Sequence, residues 1–407
     1  MKRRTFSHSN SLDRNKVILL TISTLFTVAV TLSNTFINVY LWKITNDYIL
    51  LGWFNFFQYL SIMVTFIVAG RVIKVIDRVI LLRVGIGLLL LFYLVALLLG
   101  VKVANNSELL GILIGIGQGF YWFSFNQLYF EITEPEDRDF FNGWEGLLTS
   151  FAGIVAPFLA GIIIINRVGF AGYKIIFFVS LIVFLLAILT SFFIYKRQSL
   201  GGYQITNVIK QTVSDHDWRS IVIAVSAQGG REGLILFLIG LLVYIYSNNE
   251  FILGTYSTVV SFVALITYYF VGKFIKRNWR NSSMMIGSIM MAVVVVPLVV
   301  NVNYVTLFIY GIGTSIFAPL YFIPLTSKIF DKIGESNNSA KLSGEYIIIR
   351  EIGLNLGRIV ITLIFILSLK KFGVESLKFL LLLSGSLQIV TWYFMKSVVV
   401  KKSINLE

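Results

Sequence analysis

The chain has 407 residues, 57% of them hydrophobic and only 13% charged, with a mean hydropathy of +0.83. Soluble domains carry about 25% charged residues, so a soluble globular fold is excluded and an integral membrane protein is implied. The net charge of +14 is scattered in short tracts between apolar runs, not gathered on the single basic face that nucleic-acid binding needs. The absence of cysteine removes disulfides, thiolate metal sites and a cysteine nucleophile.

Residues 1–16, MKRRTFSHSNSLDRNK, form a basic polar tail. The apolar run behind it, about 26 residues, is longer than the roughly 7–15 of a signal-peptide core, so it is expected to stay as a spanning helix. A span needs about 20 largely apolar residues, and twelve runs qualify: 17–42, 48–70, 79–100, 109–130, 140–165, 174–195, 221–246, 250–272, 283–302, 304–327, 344–369 and 376–398. An even number places both termini on one side, and lysine and arginine accumulate in cytoplasmic loops. With the termini inside, 23 of the 34 basic residues fall in cytoplasmic segments and 7 in outer loops; cytoplasmic termini are therefore expected. The polar stretch 196–220 divides the chain into a tail (1–16), a six-helix bundle (17–195), a cytoplasmic linker (196–220), a second bundle (221–398) and a tail (399–407). Ile205, Val208, Ile209 and Val213 in the linker fit a short amphipathic helix on the inner membrane surface, or plain coil.

The halves repeat. NDYILLG at 46–52 and GRVIK at 70–74 recur as NNEFILG at 248–254 and GKFIK at 272–276, both at an offset of 202. Ile86-Gly87 matches Ile286-Gly287, Gly143 matches Gly344, and the GIG of 115–117 matches that of 311–313 at 196. A duplicated six-helix unit is the expected fold: all-α, twelve transmembrane helices, two pseudo-symmetric bundles.

Two bundles of six, a central linker and a glycine-basic loop between spans 2 and 3 repeated between spans 8 and 9 resemble the major facilitator superfamily over essentially the whole chain. Of that family's loop signature, Gly70 and Arg78 are in place, while Lys74 stands at the acidic position and Asp77 at the second glycine. AGIVAPFLAG at 152–161 echoes the span 5 signature of the antiporter branch, with Pro157 kept and Ala156 for one glycine; it reads equally as ordinary small-residue helix packing. In span 4, Gln118-Gly119 fits the family pattern but Gly115 replaces its arginine, so proton coupling is expected to lie elsewhere. The resemblance implies that spans 1, 4, 7 and 10 line a central cavity, which places Asn34, Asn38, Gln118, Trp122, Asn126, Arg231 and Glu232 along it.

A charge facing lipid at mid-bilayer costs roughly 2.5–3.5 kcal/mol even on lenient scales, so deep charges mark protein interior or a watery cavity. The stretch QGGREGL at 228–234 holds Arg231 and Glu232 near the midplane, with Gln228 in reach of either and Gly229, Gly230 and Gly233 expected to weaken the helix, as at transporter binding sites. In span 11, Glu351, Asn355, Arg358 and Thr362 share one stripe, beside a packing face of Gly353 and Gly357. Thr27, Thr31, Asn34 and Asn38 repeat that spacing in span 1, and Glu145 lies in span 5. The deep charges balance, Arg231, Arg350 and Arg358 against Glu145, Glu232 and Glu351, which suits ion pairs locking the halves or a working site. A carboxylate held by arginine takes a proton when the arginine is drawn away; Glu232 is the first candidate for such coupling, with Glu145, Glu351 and Arg358 as further coupling or gating residues.

The function expected from the resemblance and these residues is secondary active transport of a small organic solute by alternating access, as proton-coupled efflux. Uptake of a sugar or organic acid, flipping of a lipid-linked headgroup, and a non-transporting receptor or scaffold are the alternatives. An enzyme is disfavoured: the two histidines, His8 and His216, lie in cytoplasmic segments. No phosphate-binding G-x-x-x-x-G-K-[ST] loop exists either. No cofactor or metal is expected. The partners are the substrate, protons and the bilayer of the cell membrane, and the protein is expected to work as a monomer.

Overall fold

The computed structural model describes residues 13–133, 138–194, 203–275, 277–336, 339 and 341–399, so most of both expected tails and residues 196–202 of the linker lie outside the described residues. The first half comprises α1 (Arg14–Thr45), α2 (Tyr48–Val72), α3 (Arg78–Leu99), α4 (Ser107–Ile132), α5 (Arg138–Ile165) and α6 (Ala171–Ser191). A short α7 (Ile205–Ser214) lies in the linker. The second half comprises α8 (His216–Ser247), α9 (Glu250–Phe274), α10 (Arg280–Val300), α11 (Tyr304–Ile333), α12 (Ser343–Phe372) and α13 (Ser376–Lys396). All helices but α7 are long and apolar enough to cross a bilayer. By composition, α3 and α4 merge into one apolar stretch, Arg78–Ile132. They are parted by a 3-10 segment, Gly100–Asn106, whose first residue has φ 53°, a left-handed backbone that glycine adopts without steric cost. The start of α1, the end of α13 and helix α7 lie on one face of the bundle, the linker face; the loop after α1 lies on the far face.

Local chemistry explains why the halves repeat. Helices α1 and α8 end at Asn46 and Asn248, with φ of 52° and 49°, a conformation asparagine tolerates better than most side chains. The next residue then caps the following helix: Asp47 accepts a hydrogen bond from the N–H of Ile49, and Asn249 from those of Phe251 and Ile252. A side-chain acceptor at this position satisfies an orphan backbone donor, so two residues suffice to reverse the chain. The repeat extends to contacts. Arg78 of α3 pairs with Glu131 of α4, and Arg280 of α10 with Asp331 of α11 at 2.7 Å, at offsets of 202 and 200. Gly85 lies against the backbone of Tyr121 and Gly287 against that of Tyr321, whereas a side chain at Gly87 would meet nothing, so the counterpart of Gly287 is Gly85 and not Gly87 as the Ile-Gly match suggested. The GIG triplets, in contrast, are out of register. Gly111 abuts Phe54 of α2 and Gly311 abuts Tyr256 of α9, so Gly111 is the counterpart of Gly311, whereas Gly115 packs one turn further on against Gln58 and Ser61.

The halves meet along α2 with α12 and α5 with α9. The small residues of 152–161 are spent on the second seam: a Cβ on Gly254 would collide with the Pro157 carbonyl, Gly161 lies against Glu250 and Phe251, and Thr258 Oγ1 donates to the Ile154 carbonyl at 2.8 Å. Close approach through small residues is how membrane helices gain contact when lipid is as apolar as their side chains. At the linker face the symmetry fails. Gly70 is covered by Ile348 of α12 and by Tyr203, while a side chain at Gly272 would meet open space. Helix α7 is tied into this asymmetric end: Val208 is fully buried, the Gln204 N–H donates to Glu345 Oε1 at 3.2 Å, and the Tyr346 hydroxyl donates to Gln211.

Candidate functional site

The helix carrying QGGREGL is unbroken. It is continuous over the 32 residues of α8, and Arg231 and Glu232 are its two central residues. The expectation of a weakened, broken helix is therefore corrected: the glycines serve contact. A Cβ on Gly229 would strike the carbonyl oxygen of Leu354, one on Gly233 the Cα of Arg358, and one on Gly357 the Ser226 carbonyl and the Gly230 nitrogen. Gly353 lies against Ser226 and Val222. Backbone thus rides on backbone between α8 and α12, which sets their side chains within bonding range.

That closeness creates an ionic cluster inside the second half. Arg358 Nη2 meets Glu232 Oε2 at 2.6 Å, and Gln228 Nε2 donates to Glu232 Oε1 at 2.8 Å, so both carboxylate oxygens are engaged. Arg358 Nη1 donates to Asn355 Oδ1 at 3.1 Å, and Asn355 Nδ2 donates to the Glu351 carbonyl at 2.9 Å. Glu351 is held by its neighbour Arg350 at 2.9 Å, and Thr362, the last of the stripe, is fully buried. The guanidinium of Arg358 lies 5.5 Å from the ring centre of Tyr59 on α2, the point where the cluster touches the first half. Of the six deep charges, two pairs form, Arg358 with Glu232 and Arg350 with Glu351. Neither joins the two halves. Among the described residues Arg231 and Glu145 are left without an ion-pair partner.

The candidates in the first half do not converge. Asn38 accepts a hydrogen bond from Asn55 Nδ2 at 3.0 Å, about 10 Å from the far end of α1 at 1.5 Å per residue. Gln118 accepts from Gln58 Nε2 at 2.9 Å. Both amides are thus committed to helix pairing, α1 with α2 and α2 with α4. Trp122 is 39% exposed and packs edge-on against Phe26, Tyr121 and Phe125. Asn126 is partly exposed and makes no hydrogen bond among the described residues. Glu145 accepts a single hydrogen bond, from Ser23 Oγ at 3.2 Å. Asn34 belongs to α1, but its side chain is outside the described residues. In the loop between α2 and α3, Asp77 caps α3 through the N–H of Val79 at 2.7 Å; Arg78 anchors α3 to Glu131 of α4, and Gly70 lies within α2 against Ile348 of α12.

Two ion pairs that join the halves escaped the sequence reading. On the far face, Lys43 of α1 meets Glu250 of α9 at 2.6 Å; Glu250 is buried and also accepts from the Tyr173 hydroxyl at 3.0 Å. On the linker face, Lys74 approaches Glu345 of α12 at 3.7 Å. Charges at the ends of spans read as loop residues, and only the recurrence of the Asn-Asp and Asn-Asn turns brought Lys43 and Glu250 into comparable positions. Two open clefts of about 470 and 530 Å³ lie at the far face around Trp53 and at the linker face around Gln211, away from the midplane charges.

Two six-helix halves sharing a repeated contact set and meeting along α2–α12 and α5–α9 define the class of twelve-helix secondary transporters. The family model of the Major Facilitator Superfamily matches residues 19–362, and the chain belongs to that superfamily. It is 42% identical over 357 residues to the uncharacterized protein YqgE of Bacillus subtilis (strain 168), a match covering 87% of this chain and 83% of the relative. A protein of the sodM 3' region of Geobacillus stearothermophilus is 47% identical over 165 residues, 40% of this chain and 77% of that one. Among solved structures, a bacterial homologue of the iron transporter ferroportin in an outward-facing state is similar with a TM-score of 0.69 at 14% identity, over 95% of this chain and 99% of that chain. The transporter FucP in its outward conformation is similar with a TM-score of 0.65, also at 14% identity, over 94% and 98%. At such identity the likeness concerns the fold.

Proposed function

We propose that the protein exports a small organic solute across the cell membrane in exchange for protons, by alternating access between its two halves, with the linker face cytoplasmic. The excess of basic residues at that face supports the orientation. The observation that carries proton exchange is the state of Glu145. This carboxylate, on a helix of the half-to-half seam, is held by one hydroxyl and by no cation among the described residues. Glu145 accepts a proton without disrupting an ion pair, whereas Glu232 must first release Arg358. Glu145 therefore replaces Glu232 as the favoured proton carrier, and the Glu232–Arg358 pair, with Glu351, becomes the scaffold of the cavity wall. Protons entering through Glu145 down their gradient drive the solute outward. The test is transport in proteoliposomes under an imposed pH gradient. Glu145→Gln is expected to abolish gradient-driven accumulation while solute counterflow without a gradient persists; full gradient-driven transport by this variant would sink the assignment.

The Lys43–Glu250 pair is the lock of the far face in this reading. It must part each time the cavity opens there. Because the chain lacks cysteine, a single cysteine at Thr31 serves as a reporter without background. Glu250→Gln is expected to speed its labelling by a membrane-impermeant maleimide about tenfold, the population change given by roughly 1.4 kcal/mol of lost pairing. Unchanged labelling would show that the pair does not govern opening.

A further inference from the structure

Arg231 is 6% exposed at the centre of α8, yet it makes no hydrogen bond and no ion pair among the described residues. Its nitrogens are absent from the sealed, unsatisfied atoms of the interior, unlike Nε of Arg358, so its donors border open space. At about 100° per residue, Arg231 lies roughly 160° around the helix from both Gly229 and Gly233. It therefore points away from α12 and from the pair that Glu232 makes there. Glu232, the adjacent carboxylate, has both oxygens occupied by Gln228 and Arg358. The group Arg231, Glu232 and Arg358 thus carries one net positive charge at mid-membrane, where an uncompensated arginine costs roughly 2.5–3.5 kcal/mol or more.

The planar fork of N–H groups recognises a ligand that accepts on several oxygens and brings negative charge; two parallel bonds to carboxylate or phosphate are the geometry arginine favours.

We propose that Arg231 is the binding site for an oxyanion group, a carboxylate or phosphate, of the transported solute. The proposal rests on the transport reading above and names the chemistry of its substrate. Free organic anions and anionic lipid headgroups share that chemistry, and the experiment separates them. The full-length protein in nanodiscs of phosphatidylcholine is heated at fixed ionic strength with benzoate, phenyl phosphate, benzamide or benzylamine. A saturable rise in Tm is expected with benzoate or phenyl phosphate and none with the neutral or cationic analogues. Arg231→Gln is expected to lose the shift, with an unliganded Tm no lower than that of the wild type because an unpaired charge is removed, whereas Arg219→Gln, at an exposed position, keeps it. Arg231→Lys, which retains the charge but not the fork, is expected to weaken half-saturation several-fold. If phosphatidylglycerol nanodiscs alone raise Tm through Arg231 and benzoate then adds nothing, the oxyanion is a lipid headgroup. Equal shifts from benzamide or benzylamine, a shift that survives Arg231→Gln, or no Arg231-dependent shift with any anionic probe or lipid would overturn the proposal. Counterflow of a neutral or cationic solute alongside such a failure would leave transport standing and remove only the anion site.

Discussion

Gly229→Val is expected to prevent the protein from accumulating in folded form. The new Cβ would be driven into the carbonyl oxygen of Leu354, and a carbonyl on α12 moves only if the helix moves. Overpacking of this kind costs about 3 kcal/mol or more where the neighbour is unable to yield. The consequence is more than local, because the same backbone contact sets Arg358 at Glu232: separating α8 from α12 lengthens the buried ion pair as well. Gly272→Ala is the control, since a side chain there meets open space and exchanging a helical glycine for alanine gains up to about 1 kcal/mol. Yield of monodisperse protein and the midpoint of thermal unfolding in detergent measure both. A Gly229→Val protein as stable as the Gly272→Ala control would mean that α8 and α12 are not in backbone contact.

Much of the fold was legible because the bilayer imposes a length rule. Each span had to supply about 20 apolar residues, and the turn chemistry of Asn46-Asp47 and Asn248-Asn249 repeated closely enough to reveal the duplication. The candidate site was legible only in part. A deep charge announces itself in an apolar run, so Arg231, Glu232, Glu351 and Arg358 were visible, and the spacing of Gln228 put it in reach of Arg231 and Glu232 alike, of which it bonds Glu232. Which arginine holds Glu232 was not readable, since Arg358 is 126 positions away and only the glycine contacts of α8 and α12 bring it near. Nor does spacing tell whether a glycine bends a helix or lets another approach. Gly229 and Gly233 do the second. Asn38 and Gln118 illustrate the converse limit: a polar residue on a cavity-lining span looks available until the neighbouring helix is seen to offer Asn55 or Gln58.

Arg358→Met is expected to be the second most damaging change, and its pairing with Glu232→Leu to be far milder. Removing the arginine alone leaves a carboxylate in the membrane interior with only Gln228 as partner, and stranding one member of a buried pair costs about 3–5 kcal/mol. Replacing both members by apolar groups removes the desolvation cost along with the attraction and is often close to neutral. Thermal unfolding of the two single variants and the double variant yields the coupling energy. The double variant also separates scaffold from mechanism. Arg358 reaches Tyr59 across the α2–α12 seam, a cation–π contact worth about 0.5–2 kcal/mol, so the pair is positioned to bias how tightly the halves close. If the pair only supports the cavity wall, the double variant keeps both its stability and its pH-driven transport, as expected where Glu145 carries the proton. If stability returns but proton-driven transport does not, Glu232 takes part in coupling after all, and Glu145 loses its place as the favoured carrier.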